Sequence, residues 1–357
     1  MQVAGKEVMS VDVGFGNVKY TLEGSMHSSV RCGIFPSNAT PELSDSGGSL
    51  DSQKCEQLNT MTVEVDGVAY MVGKDAGLGL DDSSSHVLDS SFPRTKEYLA
   101  LLRGALACMA TPAIDLLVLG LPVSTLSRHK NYLEQTVVGK HRVPIADDPS
   151  RHMDVWINQV HVIAQPLGGF LDHAVRSGIF SSLQSSGETC LTIDVGFFTV
   201  DWVISVGPKV VNRRSGSTNG GMSRILREIA KIVGREQDVS ITNLRDVDAA
   251  LANGNRLKLF GDDVDISEAV ALGKSKGRDA IINLSGQIGE GHEIGKIIIL
   301  GGGAHFFKEI VQERYPRHQI KIAEDSIFAN VRGFQLAGEE RVYRGLVNQA
   351  RNSKGIA

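Results

Sequence analysis

One tetrapeptide with the makings of a phosphate site occurs twice. Asp12-Val13-Gly14-Phe15 lies in "VDVGFGNVKY", and Asp194-Val195-Gly196-Phe197 lies in "IDVGFFTVDW", about half a chain further on. Each copy follows an apolar approach, carries its aspartate where that run ends, places glycine two residues later, and resumes with alternating apolar residues. This is the pattern of a strand, a tight turn and a returning strand. A tight turn points several backbone N–H groups the same way, and glycine lets the backbone come close, so such a turn suits phosphate oxygens. Two of them face to face can clamp a polyphosphate. Asp12 and Asp194 then offer hard oxygens to Mg2+, through water because magnesium dehydrates reluctantly. Lys19, just past the first turn, adds positive charge against the terminal phosphates. The bland alternative is two structural hairpins sharing a convenient glycine.

The rest of the chain must hold these turns. At 357 residues it exceeds the size at which one core stops growing, so two domains are expected, in agreement with the duplication. With 41% hydrophobic and 22% charged residues there is material for two real cores. Strands are expected at Glu7 to Val13, Val18 to Leu22 and His27 to Arg31, then a polar surface loop from Gly33 to about Leu58. Asp66-Gly67 sits between alternating apolar runs and suits a type I' hairpin. Apolar spacing predicts a helix over Thr95 to Met109 and a buried strand ending at Gly120. The second half repeats this α/β grammar. Strands are expected at Thr189 to Asp194, Val200 to Val206 and Lys209 to Asn212, a helix at Gly221 to Val233, and a mixed insertion from Gln237 to Ile294. A buried strand "KIIIL", the triplet Gly301-Gly302-Gly303, a helix through Arg314, a strand "QIKIA" and a last helix from near Ser326 complete the series. No low-complexity linker separates the halves, so they should pack around a cleft.

Composition excludes other classes. A net charge of -4 and the lack of a Lys/Arg run give no general attraction to nucleic acid, so contact with DNA would go through a partner. Cys32, Cys55, Cys108 and Cys190 are scattered, which fits reduced thiols in a cytoplasm. The start lacks the features of a signal peptide and no apolar run is long enough for a bilayer, so a cytoplasmic protein without a membrane segment is expected. His161 and His173 read as structural, since neither belongs to a triad or a metal set. "LGKS" at Leu272 to Ser275 lacks the first glycine of a P-loop and reads as a helix face, and "GGGAHF" lacks the third glycine of a dinucleotide fingerprint.

The order of these motifs resembles the actin, heat-shock chaperone and sugar kinase superfamily. "VDVGFGNVK" resembles its first phosphate loop, "VHVIAQPLGG" its connecting segment, "IDVGFFTVD" its second phosphate loop and "ILGGGAHFF" its adenosine loop. Within it, "YMVGKDA", "GLPVS" and "SGSTNGGM" are similar to the plasmid-segregation actins of the ParM or StbA type, including those of PRTRC plasmid systems. The resemblance implies duplicated actin-like (ribonuclease H-like) domains, residues 1–166 and 167–357, around a central nucleotide cleft. It also implies an inserted subdomain at about 222–295 and a final helix returning toward the first domain.

The resemblance assigns roles as well. Asp12 and Asp194 match the magnesium and water aspartates. Gly14, Phe15, Gly16, Asn17 and Lys19 match the first clamp, and Gly196, Phe197 and Phe198 the second. Gln165 falls where the superfamily keeps the residue that positions the attacking water; an amide cannot act as a base, so it would orient water. Its local alternative is a cap for a helix beginning near Gly168. Gly301, Gly302, Gly303 and Ala304 would lie against the adenosine, with Gly220 and Gly221 on the facing wall. The function implied is an ATPase that polymerises with ATP and Mg2+, GTP being left open, and segregates plasmid DNA through a DNA-binding adaptor. A small-molecule kinase and a non-polymerising nucleotide switch are the rivals.

Overall fold

The computed structural model describes residues 2–3, 5–22, 30–41, 58–78, 89–145 and 148–354. The first half contains strands β1 (Lys6–Val13), β2 (Asn17–Thr21) and β3 (Cys32–Pro36), then a hairpin of β4 (Thr60–Val65) and β5 (Val68–Gly73). Helix α1 (Lys96–Met109), strand β6 (Leu116–Leu121), helix α2 (Val123–Thr136), hairpin β7 (Gly139–Ile145) and β8 (Asp148–Ile157), and strand β9 (Val160–Ala164) follow. Five of these strands form a sheet in the order β9-β6-β1-β2-β3. Its pairs β9–β6 and β6–β1 are parallel, and β1–β2 and β2–β3 antiparallel.

Helix α3 (Gln165–Arg176) leads into the second half. There β10 (Thr189–Val195), β11 (Val200–Val206) and β12 (Lys209–Val210) are followed by α4 (Met222–Glu236), α5 (Leu244–Ala252), a small hairpin β13 (Arg256–Leu259) and β14 (Asp262–Asp265), and α6 (Ser267–Ile288). Strand β15 (Ile294–Leu300), helix α7 (Ala304–Arg314), strand β16 (Gln319–Ile322) and helix α8 (Ala329–Lys354) close the chain. The second sheet has the order β16-β15-β10-β11-β12 with the same parallel and antiparallel sense as the first. The repeated tetrapeptide is therefore the visible part of a repeated sheet.

Local chemistry accounts for these elements. Asp66 and Gly67 both have positive φ, 48° and 76°, as the type I' turn requires. Thr95 caps α1, its hydroxyl accepting from Tyr98 N at 3.1 Å, and α1 ends at Ala110 in the left-handed region. Val11, Leu101, Leu106 and Leu117 belong to one core, and Ile193, Ile229, Ile297 and Phe307 to another. Two smaller clusters join the halves. Phe170 and Ala174 of α3 pack on Cys190, Ile298 and Leu300 of the second sheet, while Phe334 of α8 packs on Val8, Leu116 and Val118 of the first. Each sheet is thus covered by the helix that follows the other sheet. Where α3 and α8 cross, a Cβ on Gly333 would lie 1.8 Å from the Gly168 carbonyl oxygen, so both helices need glycine there.

Several expectations change. Gly33 to Pro36 belong to a strand rather than a loop, and most of the expected strand His27 to Arg31 lies outside the described residues. The strand at Lys209 ends at Val210 because a 3-10 turn begins at Asn212. Helix α3 starts at Gln165, not near Gly168. "LGKS" lies within α6. A basic stripe, invisible as a run, does exist: helical periodicity brings Arg224, Arg227, Lys231 and Arg235 of α4 to one exposed face. Among the described residues no helix is long and apolar enough to cross a membrane, and Cys32, Cys108 and Cys190 are free.

Candidate functional site

The two hairpins superimpose residue for residue in their bonding. Asp12 stands opposite Lys19 across β1 and β2, and the Gly14 N–H donates to the Asn17 carbonyl at 3.2 Å. Asp194 stands opposite Asp201 across β10 and β11, and the Gly196 N–H donates to the Thr199 carbonyl at 3.0 Å. Each turn is braced from behind. Ser37 donates from its hydroxyl to the Gly14 carbonyl at 2.5 Å and from its N–H to the Gly16 carbonyl at 3.0 Å. The start of α4 braces the second turn: Gly221, Met222 and Ser223 donate N–H groups to the carbonyls of Phe198, Gly196 and Phe197 at 3.0, 3.0 and 2.7 Å. With those carbonyls committed and the Gly14 and Gly196 N–H groups closing the turns, a ligand would meet the other amides of each turn.

Both turns line one cleft, together with Asp12, Lys19, Gln165, Asp194 and Gly301, Gly302 and Gly303. Phe15 reaches across it. Its ring lies 4.8 Å from that of Phe198 and stacks at 4.9 Å on Phe92, so aromatic contact fixes the spacing of the two turns. Gly220, Gly221 and Ala304, expected around the adenosine, are not on this wall. Gly220 packs against Ala280, Gly221 is the close approach of α4 to the second turn, and Ala304 is buried as the first residue of α7. Of the glycine triplet, Gly301 has φ of 88° and room for no side chain, since a Cβ would meet the Val195 carbonyl at 2.4 Å and the Asp194 carboxylate at 2.5 Å. Gly302 faces open space, as a surface for a flat ligand would.

The carboxylates are buried and held. Lys19 Nζ lies 3.2 Å from Asp12 Oδ2, and Gln165 Nε2 donates to Asp12 Oδ1 at 2.8 Å. The Gln165 side chain therefore goes to the site and caps nothing; the N-cap position of α3 is Ala164, which has no side-chain bond. Asn330, at the start of α8, donates from Nδ2 to Asp194 Oδ2 at 2.6 Å, and its own Oδ1 is buried without a partner. Burial, opposed by that Asn330 bond and reinforced by Asp201 and Asp12, pushes the Asp194 carboxyl up to about 7. Asp201, held up at about 6 by burial, accepts from the Val123 N–H at 2.8 Å and so caps α2 from the opposite half of the molecule. A cluster of three aspartates against one lysine is short of positive charge. With Asp201 turned to the Val123 N–H, only Asp12 and Asp194 of the three face the cleft, which suits a hard cation held through water better than a direct cage.

Behind Gln165 is a cavity of about 20 Å3, bordered by Phe15, Phe92, Tyr98 and Thr125, which has room for one water. Tyr98 Oη has no partner there. Thr199, Met222, Asp248, Ile327 and Asn330 also line the cleft and were not anticipated. Asp201 had a signal: laid over the first repeat, it occupies the place of Lys19. Thr199 belongs to the second turn itself, and Met222, Asp248, Ile327 and Asn330 come from segments distant in sequence.

Residues 10–168 match the family described as actin like proteins, N terminal domain, and residues 192–313 that described as archaeal actin homologue MreB-like, C-terminal. No curated protein sequence matches the chain. Among solved structures, a non-polymerisable quadruple mutant of pCBH ParM is similar at 19% identity and a TM-score of 0.74, over 94% of this chain and 100% of that one. A 15-stranded ParM filament from Clostridium botulinum is similar at 19% identity and 0.73, over 94% and 99%. The archaeal actin homologue Ta0583, in complex with ADP, gives 18% identity and 0.71, over 94% and 99%. Two matched halves in order and a duplicated sheet shared along almost the whole length establish that this chain belongs to the actin-like proteins, with the fold seen in ParM.

Proposed function

We propose that this protein is an actin-like ATPase that assembles into filaments, with hydrolysis setting their lifetime, and that it serves plasmid segregation through a DNA-binding adaptor. The observation that carries the reading is the convergence of two braced turns, two buried aspartates and Gln165 on one cleft. The turns Gly14 to Asn17 and Gly196 to Thr199 would hold the phosphates, through amides other than those of Gly14 and Gly196, which close the turns, with Lys19 beside them. Gly301 to Gly303 would receive the nucleoside. Asp12 and Asp194 would hold Mg2+ through water, and the metal would offset phosphate charge when bound. Gln165, fixed by its bond to Asp12, would present its amide oxygen to the attacking water. It cannot take a proton, so its contribution is orientation.

The ADP complex of Ta0583 supports the nucleotide assignment, and the Clostridium botulinum filament supports assembly, each as a property of that protein carried to this one by fold. The test is paired phosphate release and light scattering on one sample with Mg-ATP, repeated with Mg-GTP. A rise in scattering that decays as phosphate appears is expected. Phosphate transfer to a metabolite without scattering would favour the kinase, and binding with neither would favour the switch.

A further inference from the structure

The hairpin β13–β14 carries an arrangement that the fold does not need. Its two-residue turn is Phe260-Gly261, with φ of 52° and 95°. Such a turn favours Asn or Asp before glycine, and a bulky residue there is strained. The Phe260 side chain is also 90% exposed, so it contributes nothing to its own core. Leu257 and Ile266, both buried, already anchor the hairpin. A strained, solvated phenylalanine beside Asp262, with the neighbouring Asp263 paired to Lys258 at 3.2 Å, is a knob built for contact.

A matching receptacle lies elsewhere on the same inserted module. Between α4 and the start of α5 is a groove of about 640 Å3, whose apolar floor includes Ala230 and Ile241 and whose rim carries Arg227, Lys231 and Arg235 against a single acid, Asp238. None of these three basic side chains has an acidic partner among the described residues. Aromatic ring to apolar floor and aspartates to basic rim is complementarity in both shape and charge. A knob and a groove that share no residue make a heterologous contact, which extends where its rotation does not close.

We propose that the Phe260 knob of one copy docks in the Arg227–Lys231–Arg235 groove of a second copy, as one contact of the assembled polymer. This rests on the assembly reading above and names the surfaces that would carry it. Phe260→Asn tests it well, because Asn-Gly suits the turn and the variant should unfold at the same denaturant concentration as wild type or higher. In Mg-ATP, its critical concentration should rise roughly thirtyfold, the loss expected for an aromatic anchor. Asp262→Lys and Lys231→Glu should each raise it as well, and the two together in one chain should bring it back toward wild type. Assembly of Phe260→Asn at the wild-type threshold, or no rescue by the paired reversal, would overturn the proposal while leaving the assembly reading intact. Failure of wild type to assemble with either nucleotide overturns both. If Lys231→Glu instead abolishes salt-sensitive DNA retention and leaves assembly unchanged, the groove belongs to nucleic acid and the proposal falls.

Discussion

Replacing Gly333 by alanine should damage stability and the site together. In an unobstructed helix interior, alanine stabilises by about 1 kcal/mol relative to glycine. At Gly333 the new Cβ would lie 1.8 Å from the Gly168 carbonyl oxygen and 2.7 Å from its Cα. Ordinary contact begins at 3.4 Å, so α3 and α8 must part by the difference, about 1.6 Å. Overpacking costs about 1–3 kcal/mol when side chains can adjust, and here the obstacle is backbone with no rotamer to change. Taking the upper end, about 3 kcal/mol, and subtracting the propensity gain of about 1 kcal/mol leaves a net loss of about 2 kcal/mol.

The same displacement reaches the chemistry. Gln165 begins α3 and Asn330 lies near the start of α8, and their bonds to Asp12 and Asp194 are 2.8 and 2.6 Å long. A shift of about 1.6 Å exceeds the slack in either bond. Urea unfolding of the nucleotide-free protein, nucleotide affinity and phosphate release should therefore all worsen in Gly333→Ala. Gly286→Ala in α6, where an added Cβ meets nothing within 4 Å, is the control and should stabilise by about 0.5–1 kcal/mol with normal hydrolysis. A Gly333→Ala protein as stable and as active as wild type would refute the argument that this crossing positions the site.

The remaining predictions concern charge and water. Asp194 titrates near 7 in the folded protein and near 4 when unfolded, so the folded state binds the extra proton between these values. Its stabilising contribution is complete below about pH 4 and is lost as pH rises through about 7; Asp194→Asn should flatten that slope in urea midpoints from roughly pH 4 to pH 7. The same variant should nearly abolish phosphate release, and a normal rate from folded protein would remove the aspartate from the mechanism. Gln165→Ala should bind ATP normally but hydrolyse it roughly ten- to a thousandfold more slowly, leaving polymers that persist in light scattering. Lost binding would instead make Gln165 part of the pocket wall. Despite the stripe on α4, the isolated protein should not retain DNA tightly in a gel shift at physiological salt, because four exposed cations on a chain of net charge -4 make a weak, screened field.

What could be read from the sequence is what depends on neighbours along the chain. The twin hairpins announce themselves through period-two apolar residues and a glycine after each aspartate, and Asp66-Gly67 announces its turn alone. Gln165 is marked by its place in the order of motifs that the chain shares with the superfamily, while its local surroundings mislead, since a polar residue before Pro166 reads as a cap until α3 is seen to begin there. Gly220 and Gly221 mislead in a different way. A glycine pair near a ligand loop is equally suited to touching a ligand and to letting a helix N-terminus touch the loop, and in the fold the Gly221 N–H bonds the Phe198 carbonyl while Gly220 packs against Ala280. Asn330 was out of reach, lying 136 residues from the aspartate it serves. The basic stripe was hidden for the opposite reason, its members being close in sequence but gathered only by helical periodicity.

Asp201 shows how a repeat can be legible while its meaning is not. The two hairpins place Lys19 and Asp201 at equivalent positions, so the first turn pairs its aspartate with a cation and the second faces its aspartate with another acid. In sequence this looks like a charge conflict. In the fold Asp201 turns away to the N-terminus of α2, where the Val123 N–H and the helix dipole favour its ionised form. Asp194 is left with burial and an acidic neighbour, opposed chiefly by Asn330. The two copies of one motif have thus divided the electrostatics between them. The first supplies positive charge beside the cleft, and the second supplies a buried carboxyl pushed up to about 7, which a cation bound there would help to ionise.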